Sequence, residues 1–299
     1  MTEISQFRDQ AQRLRQLAQE ANKPATIVDP RVITISSGKG GVGKTNLTVN
    51  LGIALAQKGV RVGILDADLG LANLDIVLGI IPEYNLSHVL RGEKNIQDVV
   101  AVGPAGVKIF AGGSGLYDLA NVPQAQLVRF IDGLRDLDGM IDVCLIDTGA
   151  GIGRQVMSFV SASQEAVIVT TPEPTAITDA YGVIKVLHDS NPQTRIKIVV
   201  NMAGDPSEGW AVFERLKNVS QQFLDTNIAY LGCVEEDPAV SKAVREQRPL
   251  VVGYPNARAS RGIFRLADEL LRVGAADPLP REGIKGIFQR MARRLQRSL

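Results

Sequence analysis

At 299 residues, 45% hydrophobic and 22% charged, the chain can bury a substantial core in one large α/β domain or two small ones. A formal net charge of +1 points to no special partner when averaged over the chain, and no apolar run approaches the roughly 18 residues that a membrane span needs. The polar start MTEISQFRDQ is not a signal peptide, and neither Cys144 nor Cys233 belongs to a CxxC pair, so the chain reads as cytoplasmic, with Cys144 a buried, inert thiol.

Residues 1–30 form a separate segment. Good helix formers fill DQAQRLRQLAQEA, and Ala11, Leu14, Leu17 and Ala18 recur at helical spacing before Pro24 and Pro30 break the pattern. From Arg31 the apolar runs RVITISS, VRVGILD, VKIFAG, DVCLID, EAVIVT and RIKIVVN read as buried parallel strands, with a further strand at 228–233. Amphipathic stretches at 45–58, 123–137, 151–163, 174–190, 208–224 and 257–272 lie between and after them. That alternation predicts an α/β domain over 31–276, a mostly parallel twisted sheet with helices on both faces and its ligand at the strands' carboxyl ends. A proline-containing linker and a terminal helix occupy 277–299.

The run VITISSGKGGVGKTNLTVNLGIALA is a strand, a glycine-rich turn and a helix in succession. Gly38, Gly40, Gly41 and Gly43, with Val42, let backbone N–H groups converge on phosphate at a positive helix terminus. Lys44 neutralises the β and γ phosphates, Thr45 places its hydroxyl on Mg²⁺, and Asn46 completes the nucleotide-binding run. Two strand ends supply carboxylates. Asp66 and Asp68 share a face if their strand continues, and Asp147 follows four apolar residues in the manner of a Walker B ligand behind Mg²⁺. The competing readings are a polar turn for Asp68 and an exposed helix cap for Asp147.

GKGGVGKT with its early lysine, LDADLGLANLD and IDTGAGI together resemble the deviant Walker A ATPases typified by MinD and ParA, over about residues 31–272. The resemblance implies a P-loop NTPase fold, ATP or ADP with Mg²⁺, slow ATP hydrolysis stimulated by dimerisation or partners, and an ATP-bridged homodimer. In that dimer Lys39 matches the lysine that crosses to the partner's phosphates and acts as an arginine finger does. Asp68 matches the residue that orients the attacking water, Asp66 its neighbour near Mg²⁺, and Gly149 and Gly151 the γ-phosphate switch, where DTGAG departs from MinD's proline-containing turn. Asn201 matches the adenine-recognising asparagine. The stretch GCVEEDPAVSKAV implicates Val234, Glu235 and Asp237 on the adenine side, partly through backbone groups. Glu173 has two readings, a contact to the partner's ribose as in relatives or a solvated loop residue.

The two ends separate subfamilies. In GIKGIFQRMARRLQRSL the residues Ile284, Ile287, Phe288, Met291, Leu295 and Leu299 make an apolar stripe flanked by Lys285, Arg290, Arg293, Arg294 and Arg297. From Arg281 onward six basic residues face one acid, a local +5 that leaves the remainder near −4. Such a helix suits an anionic membrane, and MinD-type proteins end similarly; docking on its own domain is the other reading, and the two can alternate with nucleotide state. DQAQRLR, Asp9 to Arg15, resembles the D-Q-A-x-x-L-R motif of the FlhG group (YlxH, FleN), MinD-like ATPases that govern flagellar number and placement. In that group the segment stimulates the FlhF GTPase, which makes Gln10 the first candidate for positioning a catalytic group there. Flagellar basal-body or C-ring proteins are further partners of this reading, with the inner face of the cell membrane as the location of the ATP-bound form. A MinD-type division-site ATPase and a ParA-type partition ATPase are the alternatives. A DNA-directed ParA predicts a basic core without an amphipathic tail, and an iron–sulfur ATPase predicts paired cysteines, so no nucleic acid or cluster is expected.

Overall fold

All seven apolar runs pair in one eight-stranded sheet of a computed structural model, which describes residues 29–68, 74–80, 82–113, 122–276 and 282–297. The strands are β1 (Arg31–Ser37), β2 (Val62–Ala67), β3 (Val100–Val102), β4 (Lys108–Ala111), β5 (Val143–Ala150), β6 (Glu165–Thr170), β7 (Arg195–Ala203) and β8 (Ile228–Glu235), in the order β3-β4-β2-β5-β1-β6-β7-β8. Every pairing is parallel except β3 with β4, a three-residue edge strand that the apolar pattern did not announce. From β1 the chain builds outward on one side and later on the other, so the crevice for a ligand opens at the carboxyl end of β1.

The helices are α1 (Lys44–Gln57), α2 (Leu74–Leu78), α3 (Leu86–Leu90), α4 (Gln124–Asp138), α5 (Arg154–Ala162), α6 (Pro174–Ser190), α7 (Pro206–Leu224), α8 (Pro238–Arg245), α9 (Leu250–Gly253), α10 (Arg258–Ala276) and α11 (Gly283–Arg297). Helix α5 starts later than the expected 151, because Gly151 has φ +93° and Gly153 serves as N-cap. Side chains alternate across the sheet. Ile33 and Ile35 join Leu51 and Leu55 of α1 and Leu266 and Leu270 of α10 on one face, while Val32 and Ile146 meet Phe130, Leu134 and Phe159 on the other. Cys144 lies in the second cluster at 0% exposure, and burial pushes its thiol well above the ordinary value, which fits an inert residue.

At the amino ends of the strands, Arg31 donates to Glu165 from Nε (2.9 Å) and Nη2 (2.6 Å), and Lys197 pairs with the same carboxylate. Arg31 also donates to the Leu270 carbonyl at 2.7 Å, so one buried ionic cluster ties β1, β6 and β7 to α10.

Helix α11 is docked. Its apolar stripe, Ile284, Ile287, Phe288 and Met291, is at most 1% exposed, and the Phe288 ring stands edge-on to Phe130 (5.6 Å) and Phe159 (5.9 Å). Asp138, the last residue of α4, accepts the Ile284 N–H at 2.7 Å and so serves the amino end of α11. Arg290 donates to the Ala162 carbonyl at 2.6 Å, and Lys285 pairs with Asp132 at 2.7 Å. The side chains of Leu295 and Leu299, and the segment holding Gln10 and Asp9 to Arg15, lie outside the described residues. No described helix is long and apolar enough to cross a membrane.

Candidate nucleotide site

Strand β1 delivers Ser37 directly into the glycine loop, and α1 begins at Lys44. Two glycines are dictated by neighbours rather than by flexibility alone. Gly43 has φ +81°, and a Cβ there would lie 2.5 Å from Asn201 Nδ2; a Cβ at Gly38 would lie 2.2 Å from the Asp179 backbone of α6. The loop is therefore pressed against both β7 and α6.

Asp147 gathers the polar groups behind the loop. Its carboxylate, 0% exposed, accepts from Lys44 Nζ (3.0 Å), Thr45 Oγ1 (2.6 Å) and Thr48 Oγ1 (3.1 Å). This excludes an exposed cap. Burial pushes the carboxyl upward, against the pull of Lys44 and the two hydroxyls. Asp66 stands beside it at the same register position of β2 and is 6% exposed. Burial, with the charges of Asp147 and Asp68, raises the Asp66 carboxyl to about 7, although the Asp68 N–H partly opposes this. Two buried acids side by side next to a threonine hydroxyl are what a hard dication served by one or two carboxylates needs, so Thr45, Asp66 and Asp147 fit Mg²⁺. Among the described residues no group of three or more His, Cys, Asp or Glu is assembled.

Asp68 departs from expectation in its geometry. Strand β2 ends at Ala67, so Asp66 and Asp68 do not share a strand face; a turn folds the Asp68 N–H onto Asp66 Oδ1 at 2.9 Å. Asp68 still reaches the phosphate cavity, and its Oδ1 lies 3.5 Å from where a Cβ on Gly149 would stand. Strand β5 runs past Asp147 to Ala150, and the Gly151 N–H donates to the Ser37 carbonyl at 2.8 Å, linking the switch segment to the loop.

The phosphate cavity, about 480 Å³, is walled by Lys39 through Asn46 with Ser37, Asp68, Val77, Ala150 and Val244. A second cavity of about 430 Å³ adjoins it and shares Gly43 and Asn46. Asn201, Val234, Glu235 and Asp237 line it, with Met202, Leu250 and Arg258. Asn201 Nδ2 donates to the Val42 carbonyl at 2.8 Å, which braces the loop with the amide assigned to the base. The Asp237 carboxylate is committed elsewhere: it caps α8 through Ala239 N–H (2.9 Å) and holds Ala259 N–H of α10 (3.2 Å), leaving backbone groups for a base. Glu173 lines neither cavity; it pairs with Lys39 at 2.5 Å. Sequence reasoning missed Thr48, Met202, Arg258 and Val244. Only Thr48 carries a signal, being one helical turn after Lys44.

Residues 33–250 match the family described as CobQ/CobB/MinD/ParA nucleotide binding domain. Among curated relatives, the antiactivator FleN of Pseudomonas aeruginosa is 42% identical over 240 residues, 80% of this chain and 86% of that one. The flagellum site-determining protein YlxH of Helicobacter pylori is 38% identical over 296 residues, 96% and 99% of the two chains. Among solved structures, the septum site-determining protein MinD complexed with Mg-ADP from Pyrococcus horikoshii superposes with TM-score 0.64 at 29% identity, covering 84% of this chain and 100% of that one. With its two-lysine loop, its buried Asp147 and these relatives, the chain belongs to the MinD/ParA family of nucleotide-binding ATPases and, within it, to the FlhG (FleN/YlxH) group.

Proposed function

We propose that the chain regulates flagellar number and position as an ATP-dependent, dimerising ATPase that associates with the membrane, and that its N-terminal segment stimulates the FlhF GTPase. The observation that carries the ATP switch is the division of labour between the two lysines. Lys44 is 7% exposed and neutralises Asp147 inside the chain, whereas Lys39 stands at the rim, 36% exposed, where a second chain can approach. Val244, which lines the phosphate cavity, is 39% exposed, and Ile152, next to the Gly151 that bonds Ser37, is 57% exposed. Asp68 and Gly149 supply the water-positioning side and the switch. When bound, Mg²⁺ adds charge neutralisation across the phosphates, and Thr45, Asp66 and Asp147 position it.

Helix α11 supplies the second half of the reading. The stripe that packs on α4 and α5 is the face a lipid surface would take, so docking and membrane binding exclude one another. Two such helices in a dimer bind cooperatively, because the second insertion is intramolecular.

Lys39→Ala is expected to bind nucleotide but to remain a monomer on sizing chromatography with ATP. A dimer of unchanged affinity would remove Lys39 from the bridging role. The flagellar part is tested by adding a peptide of residues 1–24 to FlhF and following GTP hydrolysis. Stimulation that depends on Gln10 is expected, and none at all would remove this assignment while leaving the ATPase in place.

A further inference from the structure

Lys39 does not wander at the rim; three contacts hold it. Its Nζ donates to Glu173 Oε1 (2.5 Å) and Thr175 Oγ1 (2.8 Å), and Thr175 Oγ1 donates in turn to the same Glu173 oxygen (2.8 Å). At the other end of the lysine, Ser37 Oγ donates to the Lys39 carbonyl at 2.9 Å, fixing the backbone from which the side chain springs. The holder itself is anchored, because α6 packs its Asp179 backbone onto Gly38 with no room for a Cβ.

The choice of residue at the start of α6 is informative. Glu173 is the N-cap of that helix and makes no side-chain cap hydrogen bond. Ser, Thr, Asp or Asn would cap it better, and the glutamate arm is instead long enough to reach across to the phosphate loop. Lys39 in return holds the Glu173 carboxyl below its ordinary value.

We propose that Glu173 and Thr175 are positioning residues that restrain Lys39 within its own subunit, so that ATP-dependent pairing with a second copy of this chain must first exchange the Glu173 carboxylate for the partner's phosphates. The inference rests on the dimer reading above and adds a brake to it. A carboxylate and a bound triphosphate compete for one ammonium, and dimerisation draws only on the difference. ADP, with less negative charge at the crossing point, fails to outbid Glu173. Release of the glutamate then leaves Thr175 and the amino end of α6 free to repack in the dimer.

The sign of the effect separates this from the other role open to Glu173, a contact to the partner's ribose. Glu173→Gln is expected to tighten the ATP dimer. An exposed pair is worth up to about fivefold, and since two restraints open per dimer the dissociation constant should fall by roughly 2- to 30-fold. Thr175→Val should shift it the same way by less. The measurement is the ATP-dependent dimer dissociation constant by sedimentation, together with the protein concentration at half-maximal turnover, which the brake's removal lowers and a loosened fold raises. Melting of the nucleotide-free variants checks that they fold. A dimer unchanged or weakened in both variants, beside a native chain that dimerises normally, overturns the brake and leaves the dimer reading standing. A native chain that stays monomeric with ATP overturns both.

Discussion

Lys44→Ala is expected to bind ATP and ADP about 10²- to 10⁴-fold more weakly, since it removes two charge-assisted hydrogen bonds of about 1.5–3 kcal/mol each. The structure adds a second consequence. Lys44 is also the cation for Asp147, which is buried at 0% exposure and faces it at 3.0 Å. Without it, desolvation is opposed only by the Thr45 and Thr48 hydroxyls, and the Asp147 carboxyl rises further. A group whose folded-state value is raised lends stability below that value and withdraws it as pH rises. The variant should therefore fall further behind the native chain in melting temperature as pH rises. Calorimetric titration checks the first effect and melting curves between pH 5 and 8 the second. Asp68→Ala should behave oppositely at the site, retaining nucleotide, losing turnover and accumulating the ATP dimer. Rapid turnover by that variant would show that water is positioned by some other group.

The second large effect concerns Asp138, which receives the amino end of α11. Asp138→Ala removes that cap, worth about 0.5–2 kcal/mol, and should raise ATP-independent binding to anionic vesicles roughly 2- to 30-fold. Phe288→Ala should not imitate it, because the Phe288 ring serves both the domain and the bilayer. Cosedimentation without nucleotide distinguishes them, and equal binding by native and Asp138→Ala chains would separate docking from membrane affinity. Burial places the Asp138 carboxyl at about 6, above the ordinary carboxylate value, with the Ile284 and Lys285 N–H groups opposing. The folded chain thus holds this proton more tightly than the unfolded one. The stability this carboxyl lends the fold is fully present below about pH 4 and is lost as pH rises through 6, while melting of Asp138→Asn should show no such slope.

The phosphate loop was legible because everything it needs is local: one strand, one turn and one helix within a short run. Asp147 was legible for the same reason, although its burial and its bond to Thr48 were not. Asp68 misled at the level of geometry, since nothing in ILDADLG marks where β2 stops. Asp237 carries the more general lesson. Its second bond goes to Ala259, 22 residues later, and no spacing rule announces that a carboxylate will be shared by two helices. The tail shows the limit of periodicity. An apolar stripe with basic margins fits lipid and protein core alike, and its packing partners Phe130 and Phe159 lie more than a hundred residues upstream. The three residues of β3 were too few to register as a strand.

The seat of α11 on α4 and α5 has a thermodynamic consequence for the protein as a sensor. Releasing that helix bares two matching apolar surfaces, one on the helix and one on the domain, and only the first is satisfied by lipid. If ATP-driven pairing frees the helix and the bilayer captures it, linkage requires that the bilayer strengthen pairing by the same factor. Membrane and second chain are then cooperative ligands of one another. Assembly becomes steeply dependent on place, and a chain meeting ATP far from a suitable surface is held back by its own tail.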